Sequence, residues 1–396
     1  MNVSSSAPEL YTVPRLTSED QSVLGEIHQM RKDMRMVLRT PRRWEGGLRR
    51  SVLAKAVQGS NSIEGYEVAE DDALAALDDE EPMSADEKTF AEIKGYQQTM
   101  GYVLAIGSDS LATYDTSELR AMHFMMLQHE PSKSPGHFRK GPIYVHNHET
   151  ERQVYEGPDH EAVPELMNAL VRSLRTGHEH DPVVRSAMAH LNLVMIHPFR
   201  DGNGRMARAL ATLVLARSDI GEPVFSSIEE WLGAKSNTLD YYAALGHTGR
   251  GVWAPRADAQ LWLSFCLRAH HMQAQTMARR VEDADRYWLH LDGIVSSHKL
   301  PERVLDPLFD AVLGYRIRRG GYMKRAGIEG QTATRDLAHL AGLGLLAAHG
   351  SGRGRHYTAA GPLLEVRADV RSRRGAVTDP YPGMRSELAK PIAWEK

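Results

Sequence analysis

Apolar residues recur three and four positions apart through most of this chain, the spacing that lines them along one face of an α-helix. A first helical run starts near Glu19. Leu48, Val52 and Ala56 mark a second, and Phe90, Ile93, Tyr96, Met100 and Val103 mark a third over 87–106. The same spacing returns at Leu119, Met122, Met126 and Leu127, then at Val184, Met188, Leu191 and Met195, then at Met206, Leu210, Leu213 and Val214. A further helix opens near Ser236, and a long one spans 260–291. Strand-like runs are few. Those at 143–146 and 152–155 flank a polar turn and predict a β-hairpin. The chain is expected to be mainly α.

Breaks in the pattern add detail. Asp181-Pro182 supplies an N-cap and a first-turn proline for the helix that follows. Pro198 stops that helix and leaves His197 at its end, and Gly204-Arg205 opens the next one. Upstream, Gly65 is a plausible left-handed cap, which puts Glu64 at a helix C-terminus. A carboxylate there opposes the helix dipole unless a cation meets it, so Glu64 calls for a partner. The acidic, Ala-rich stretch 70–81 reads as an exposed helix and turn. Tyr241 and Tyr242 stay ambiguous between core packing and a wall for stacking a nucleotide.

Past residue 295 the character changes. Residues 296–374 hold 14 Lys/Arg against 7 Asp/Glu, a surplus of 14 − 7 = +7 in a chain of net −3. Helices are expected at 321–328 and 331–340, then a tight Gly/Arg hairpin at 350–357, the layout of a small winged-helix (α+β) domain over 296–360. Residues 1–16 read as a loose arm and 361–396 as a loose tail. Between them lie an N-terminal helical region, 17–110, and a helical core, 111–290.

Composition bounds the class without choosing a function. The 396 residues are 42% apolar and 25% charged, as in ordinary globular proteins, and Cys266 is the single cysteine. An intramolecular disulfide and a cysteine-based metal site are thereby excluded. The N-terminus lacks a signal-peptide pattern and no apolar run is long enough to span a bilayer, so a cytoplasmic location is expected. His146 and His148 stand two apart, but no second ligand pair with convincing spacing joins them, and His178 and His180 flank a loop.

The chemistry concentrates in 197–208, His-Pro-Phe-Arg-Asp-Gly-Asn-Gly-Arg-Met-Ala-Arg. Backbone N–H groups around Gly202, Asn203 and Gly204 can converge on an anion beside a helix start. Arg205 and Arg208 suit phosphate oxygens, and Asp201 is a hard ligand for Mg²⁺. His197 titrates near neutrality and can take a proton from an attacking hydroxyl. Together they predict phosphoryl or nucleotidyl transfer.

The run resembles the Fic family signature His-Pro-Phe-x-Asp/Glu-Gly-Asn-Gly-Arg-x-x-Arg at every fixed position. Ser60-x-x-x-Glu64-Gly65 resembles the family's inhibitory helix motif, the hairpin at 142–156 lies where the family carries its target-positioning flap, and Tyr241-Tyr242 lies where it often has a Tyr-Tyr pair. The resemblance implies a Fic-type helical bundle with a β-hairpin flap, accompanied by a winged helix. It implies transfer of AMP from ATP to a Ser, Thr or Tyr hydroxyl of a target protein, with His197 as base and Asp201 holding Mg²⁺. Gly202, Asn203 and Gly204 would hold the α- and β-phosphates with help from Arg205. Arg208 would hold the γ-phosphate, or pair with Glu64 in an inhibited state that also involves Ser60 and Gly65. Related Doc-type kinases lack Gly-Asn-Gly, which favours AMP transfer over phosphorylation. Two other readings stand beside this one. In the first, the chain is a DNA-binding regulator contacting duplex through 332–357, including Arg353 and Arg355, while the Fic site senses nucleotide. In the second, Glu64 orients a water and the site removes AMP. Assembly into a homo-oligomer is left open.

Overall fold

The computed structural model describes residues 9–147, 150–218 and 223–392, with Arg353 through its backbone alone. His148, the first eight residues of the expected arm and the last four of the expected tail lie outside them.

Thr17 caps α1 (Ser18–Leu38) in a reciprocal box with Asp20. Next come α2 (Glu45–Ile63), α3 (Glu70–Leu77), α4 (Glu87–Gly107), capped by Asp86, and α5 (Thr116–Leu127), capped by Asp115. The expected hairpin is β1 (Tyr144–His146) with β2 (Gln153–Glu156), antiparallel and bulged between Val145 and His146. Helices α6 (Val163–Thr176), α7 (Pro182–Ile196) and α8 (Asn203–Ala216) follow, with Asp181 capping α7. Two single turns, α9 (Pro223–Ser226) and α10 (Glu229–Leu232), lead to α11 (Lys235–Gly249) and the long α12 (Gln260–Ser297). The C-terminal part comprises α13 (Leu305–Leu313), α14 (Arg319–Ala326), α15 (Gly330–Gly342), β3 (Leu346–His349) paired with β4 (His356–Ala359), then α16 (Pro362–Ser372) and α17 (Met384–Leu388).

The apolar stripes of α4, α5, α6, α7 and α8 close on one another in a core that includes Ile93, Tyr96, Met122, Leu193, Phe199 and Leu210, all fully or almost fully buried. This core carries the 197–208 loop between α7 and α8. A second core joins Trp44, Leu48 and Val52 of the α2 region to α12, α13 and the C-terminal elements. The expected boundary near 290–296 therefore falls inside one continuous helix, α12, whose far end belongs to the second core.

Three sequence expectations need correction. The stretch 70–81 is not an exposed helix: Asp72 to Ala76 are buried, because Asp72 accepts hydrogen bonds from the Ser84 hydroxyl and the backbone N–H groups of 83–85. The described part of the arm is not loose either. Tyr11 is buried, and its N–H and carbonyl are both held by the Asn192 side chain, at 2.9 and 3.1 Å. Nor is the tail loose. Asp379 pairs with Arg268 at 2.6 Å and the Tyr381 hydroxyl donates to Asp20 at 2.7 Å. The anchors of the arm and tail lie 111 to 361 residues away in sequence, where periodicity carries no trace of them.

Much of the C-terminal positive charge is neutralised inside the molecule. Arg316 reaches Asp71 at 3.4 Å, Arg318 reaches Glu80 at 3.4 Å, and Arg325 reaches Asp78 at 2.7 Å. The acidic 70–81 stretch is thus the counterpart of the basic surplus. Arg50 of α2 bridges the two regions through Asp78 and Asp310.

Candidate functional site

Helix α7 ends on His197 in the left-handed region, φ 50°, with its N–H on the Leu193 carbonyl at 3.0 Å. The ring Nδ1 lies 3.0 Å from the Val194 carbonyl, which can only accept, so Nδ1 carries the proton and Nε2 is left with a lone pair. Burial lowers the imidazole pKa, and the nearby Arg139 guanidinium lowers it further, keeping the ring neutral. Arg139 also donates to the His197 carbonyl at 2.9 Å and to the carbonyls of Gly141 and Pro158, tying the hairpin ends to the loop.

The loop is braced from below. Asn203 spans it, accepting from the Phe199 N–H and donating to the Phe199 carbonyl, each at 2.9 Å. The Phe199 ring stacks on His123 at 3.8 Å. His123 accepts from the Gly136 N–H on Nδ1, which leaves Nε2–H to donate to the Asp201 carbonyl at 3.0 Å, and burial brings its pKa down to about 4. Gly202 then turns with φ 74°, and α8 begins at Asn203. The first N–H groups of a helix have no intrahelical acceptor, so residues 203–205 direct theirs into the concavity. The Asn203 side chain is not available to a phosphate; only its backbone is.

Glu64 is the C-cap of α2 and Gly65 turns with φ 86°, as the sequence suggests. The Glu64 carboxylate lies against Gly204, where any Cβ would collide with Oε1. It accepts from Arg208 at 2.7 Å, while Arg208 also donates through Nε to the Ser60 hydroxyl at 2.8 Å and through Nη2 to the Ser60 carbonyl at 3.0 Å. Arg208 Nη1 is buried with no hydrogen-bond partner, 3.3 Å from where a Gly204 Cβ would sit. A helix start favours a negative charge, and the Glu64 carboxylate lies at this one.

Two sequence assignments change. Arg205, which the sequence offers to phosphates, is already held by a carboxylate. It is 1% exposed and bound to Glu92 of α4, with its guanidinium 5.6 Å over the Tyr66 ring. Tyr241 is not a stacking wall but core, 1% exposed, with its hydroxyl 3.0 Å from His190. Tyr242 is half exposed, and its hydroxyl donates to the Ile63 carbonyl at 2.9 Å, pinning the last turn of α2.

Glu92 and Lys133 escape the sequence reading. Glu92 gathers Arg205, the Tyr66 hydroxyl at 2.7 Å and Lys133 at 2.9 Å. Burial alone would raise its pKa, but Arg205 and these donors hold it at about 2. Lys133 also reaches Asp201 at 2.7 Å. Burial likewise opposes the charge on Asp201, and Lys133 overcomes it, so the Asp201 pKa is lowered. Asp201 is 40% exposed on its side chain and is the one acidic residue within 197–208; no group of three or more metal-binding side chains occurs among the described residues. A lone carboxylate suits Mg²⁺ in the mode where substrate phosphates and water complete the shell.

The comparisons agree with this geometry. Residues 113–215 match the Fic/DOC family model. The protein adenylyltransferase fic-1 of Caenorhabditis briggsae is 45% identical over 75 residues, 19% of this chain and 13% of that protein. The protein adenylyltransferase Fic of Drosophila ananassae is 36% identical over 131 residues, 32% of this chain and 24% of that protein. The chain thus matches less than a quarter of the length of these relatives. Among solved structures, a Fic family protein from Desulfovibrio desulfuricans G20 superposes with a TM-score of 0.55 at 20% identity, covering 88% of this chain and 98% of that one. Fic-1 from C. elegans gives 0.51 at 22% identity, covering 67% and 73%. These two likenesses speak to the fold, while the matched motif lies inside the family-model region. Residues 113–215 thus form a Fic/DOC domain, in a chain whose fold resembles that of solved Fic family proteins.

Proposed function

We propose that this chain is a protein adenylyltransferase that transfers AMP from ATP to a Ser, Thr or Tyr hydroxyl of a target protein, and that Glu64 inhibits it. The observation that carries the reading is the His197 tautomer, a neutral ring with Nε2 free beside an anion-binding helix start. The target hydroxyl oxygen forms the new bond to the α-phosphorus, diphosphate leaves, and the hydroxyl proton passes to Nε2. Such base catalysis contributes about 10²–10⁴-fold. The N–H groups of 203–205 and Arg208 bind the phosphates. Asp201 would hold Mg²⁺, which neutralises charge on the departing diphosphate, and Lys133 positions that carboxylate. The target docks along β1, whose outer edge is unpaired among the described strands, while β2 is bridged to Val252. With Glu64 on Arg208, the γ-phosphate and the carboxylate compete for one guanidinium.

Incubation with α-labelled ATP and Mg²⁺ tests this. Losing a charge-assisted bond of about 1.5–3 kcal/mol, Glu64→Gly gains about ten- to a hundredfold labelling, and adding His197→Ala abolishes it. Equal labelling with and without His197 would remove the base from the scheme. Arg316, Arg318 and Arg325, committed to residues 71–80, take three of the fourteen basic residues of 296–374 away from the DNA-binding reading.

A further inference from the structure

Lys133 already neutralises the carboxylate that the proposed chemistry gives to a metal. Its ammonium lies 2.7 Å from Asp201 Oδ2 and 2.9 Å from Glu92 Oε1, so one cation bridges carboxylates from two different elements. The other oxygen of Asp201, Oδ1, accepts the Gly202 N–H at 2.6 Å. Both oxygens are therefore engaged, and Lys133 is the one ion-pair partner of Asp201 among the described residues.

The two ends of the bridge are not alike. Glu92 is buried, and Arg205 on its second oxygen and the Tyr66 hydroxyl on its first hold it in place without Lys133. Asp201 is the more exposed of the two. Lys133 itself sits on the short turn Pro131–Lys133, its N–H on the Glu130 carbonyl at 3.1 Å. Glu92 thus grips the lysine head from the buried side and Asp201 meets it from the wet side. If Asp201 lets go, the ammonium still has Glu92. Burial opposes the lysine charge, but hydrogen bonds to Asp201 and Glu92 overcome that and raise its pKa, so the head stays an ammonium. An ammonium and a divalent ion on one carboxylate oxygen repel each other strongly at such short range.

We infer that Lys133 is a tethered competitor for Asp201: a divalent cation has to displace its ammonium, which Glu92 retains, and the lysine thereby sets how tightly the metal is held. This rests on the reading that Asp201 takes Mg²⁺. Lys133 acts through Asp201 and is a positioning residue. Its removal should strengthen metal binding, the opposite of what losing a mere support for Asp201 would do.

Titration of the full chain with Mn²⁺ alone, followed by the electron paramagnetic resonance of the free ion, decides it without any turnover. Neighbours of a metal ligand shift affinity by about 10–100-fold, and Lys133→Met should bind Mn²⁺ about tenfold more tightly than wild type. Lys133→Gln keeps an N–H for Glu92 and loses the charge, so it should tighten likewise, whereas Lys133→Arg should keep the wild-type affinity. Adding Asp201→Asn to Lys133→Met should abolish the gain. Asp201-dependent binding that is equal or weaker in Lys133→Met and Lys133→Gln overturns the inference and leaves Asp201 as the ligand. Binding that ignores Asp201→Asn in every background removes that ligand and the inference with it. Silence of Glu64→Gly in the labelling assay speaks instead against adenylyl transfer and leaves the outcome of the titration untouched.

Discussion

Arg205 and Arg208 leave α8 one turn apart, both are buried, and each meets one carboxylate from a helix far upstream, yet the two pairs are built differently. Glu92, the partner of Arg205, is 1% exposed and is also held by Tyr66 and Lys133. Glu64, the partner of Arg208, is 23% exposed, sits at the C-terminal end of α2, and has Arg208 as its charged partner. Breaking the first pair strands a buried charge. Breaking the second leaves the carboxylate in water that already reaches it, while Arg208 stays buried and keeps its bonds to Ser60. Two arginines three positions apart in one motif thus make one pair buried on both sides and one pair whose carboxylate meets water.

The largest effect should come from the pair buried on both sides. Glu92→Ala leaves Arg205 uncompensated and should cost about 3–5 kcal/mol, read from the urea midpoint. If Glu64→Ala costs as much, the contrast between the pairs collapses. Glu64→Gly should cost less than Glu92→Ala, because Arg208 keeps its two bonds to Ser60, while raising labelling, so stability and activity separate at one pair and fall together at the other. Acid sharpens the point. The folded pKa of Glu92 lies near 2, below its ordinary 4.5, so its contribution is complete above about 4.5 and is lost as pH falls towards 2. Wild type should therefore lose stability more steeply across that window than Glu92→Gln, and parallel curves would deny the pair its role. The smallest change is expected from Tyr242→Phe. One hydrogen bond to the end of α2, about 0.5–1.5 kcal/mol, should give a few-fold rise in basal labelling, and none if Ile63 is held by other contacts.

The sequence reveals what is periodic or local. The helices of the core, the hairpin, the stop after His197 and the turn at Gly65 all follow from spacing, proline and glycine. The conflict at Glu64, a carboxylate facing the wrong end of a dipole, points to a cation, and the structure places Arg208 there. Arg205 defeats the sequence because phosphate and carboxylate are equally good partners for a guanidinium, and only the packing of α4 against α8 chooses between them. Lys133 sits in a Pro-Ser-Lys-Ser run with no periodicity, and its reach to both Glu92 and Asp201 exists only once three elements converge. Tyr241 reads either way until burial decides it.

The bare α-carbon of Gly204 has a consequence for anyone redesigning this protein. The space where its side chain would begin is filled by the Glu64 carboxylate, with Arg208 Nη1 beside it. A methyl group placed there would push that carboxylate aside. Any redesign of the contact therefore has to start from the α2 side and leave position 204 bare.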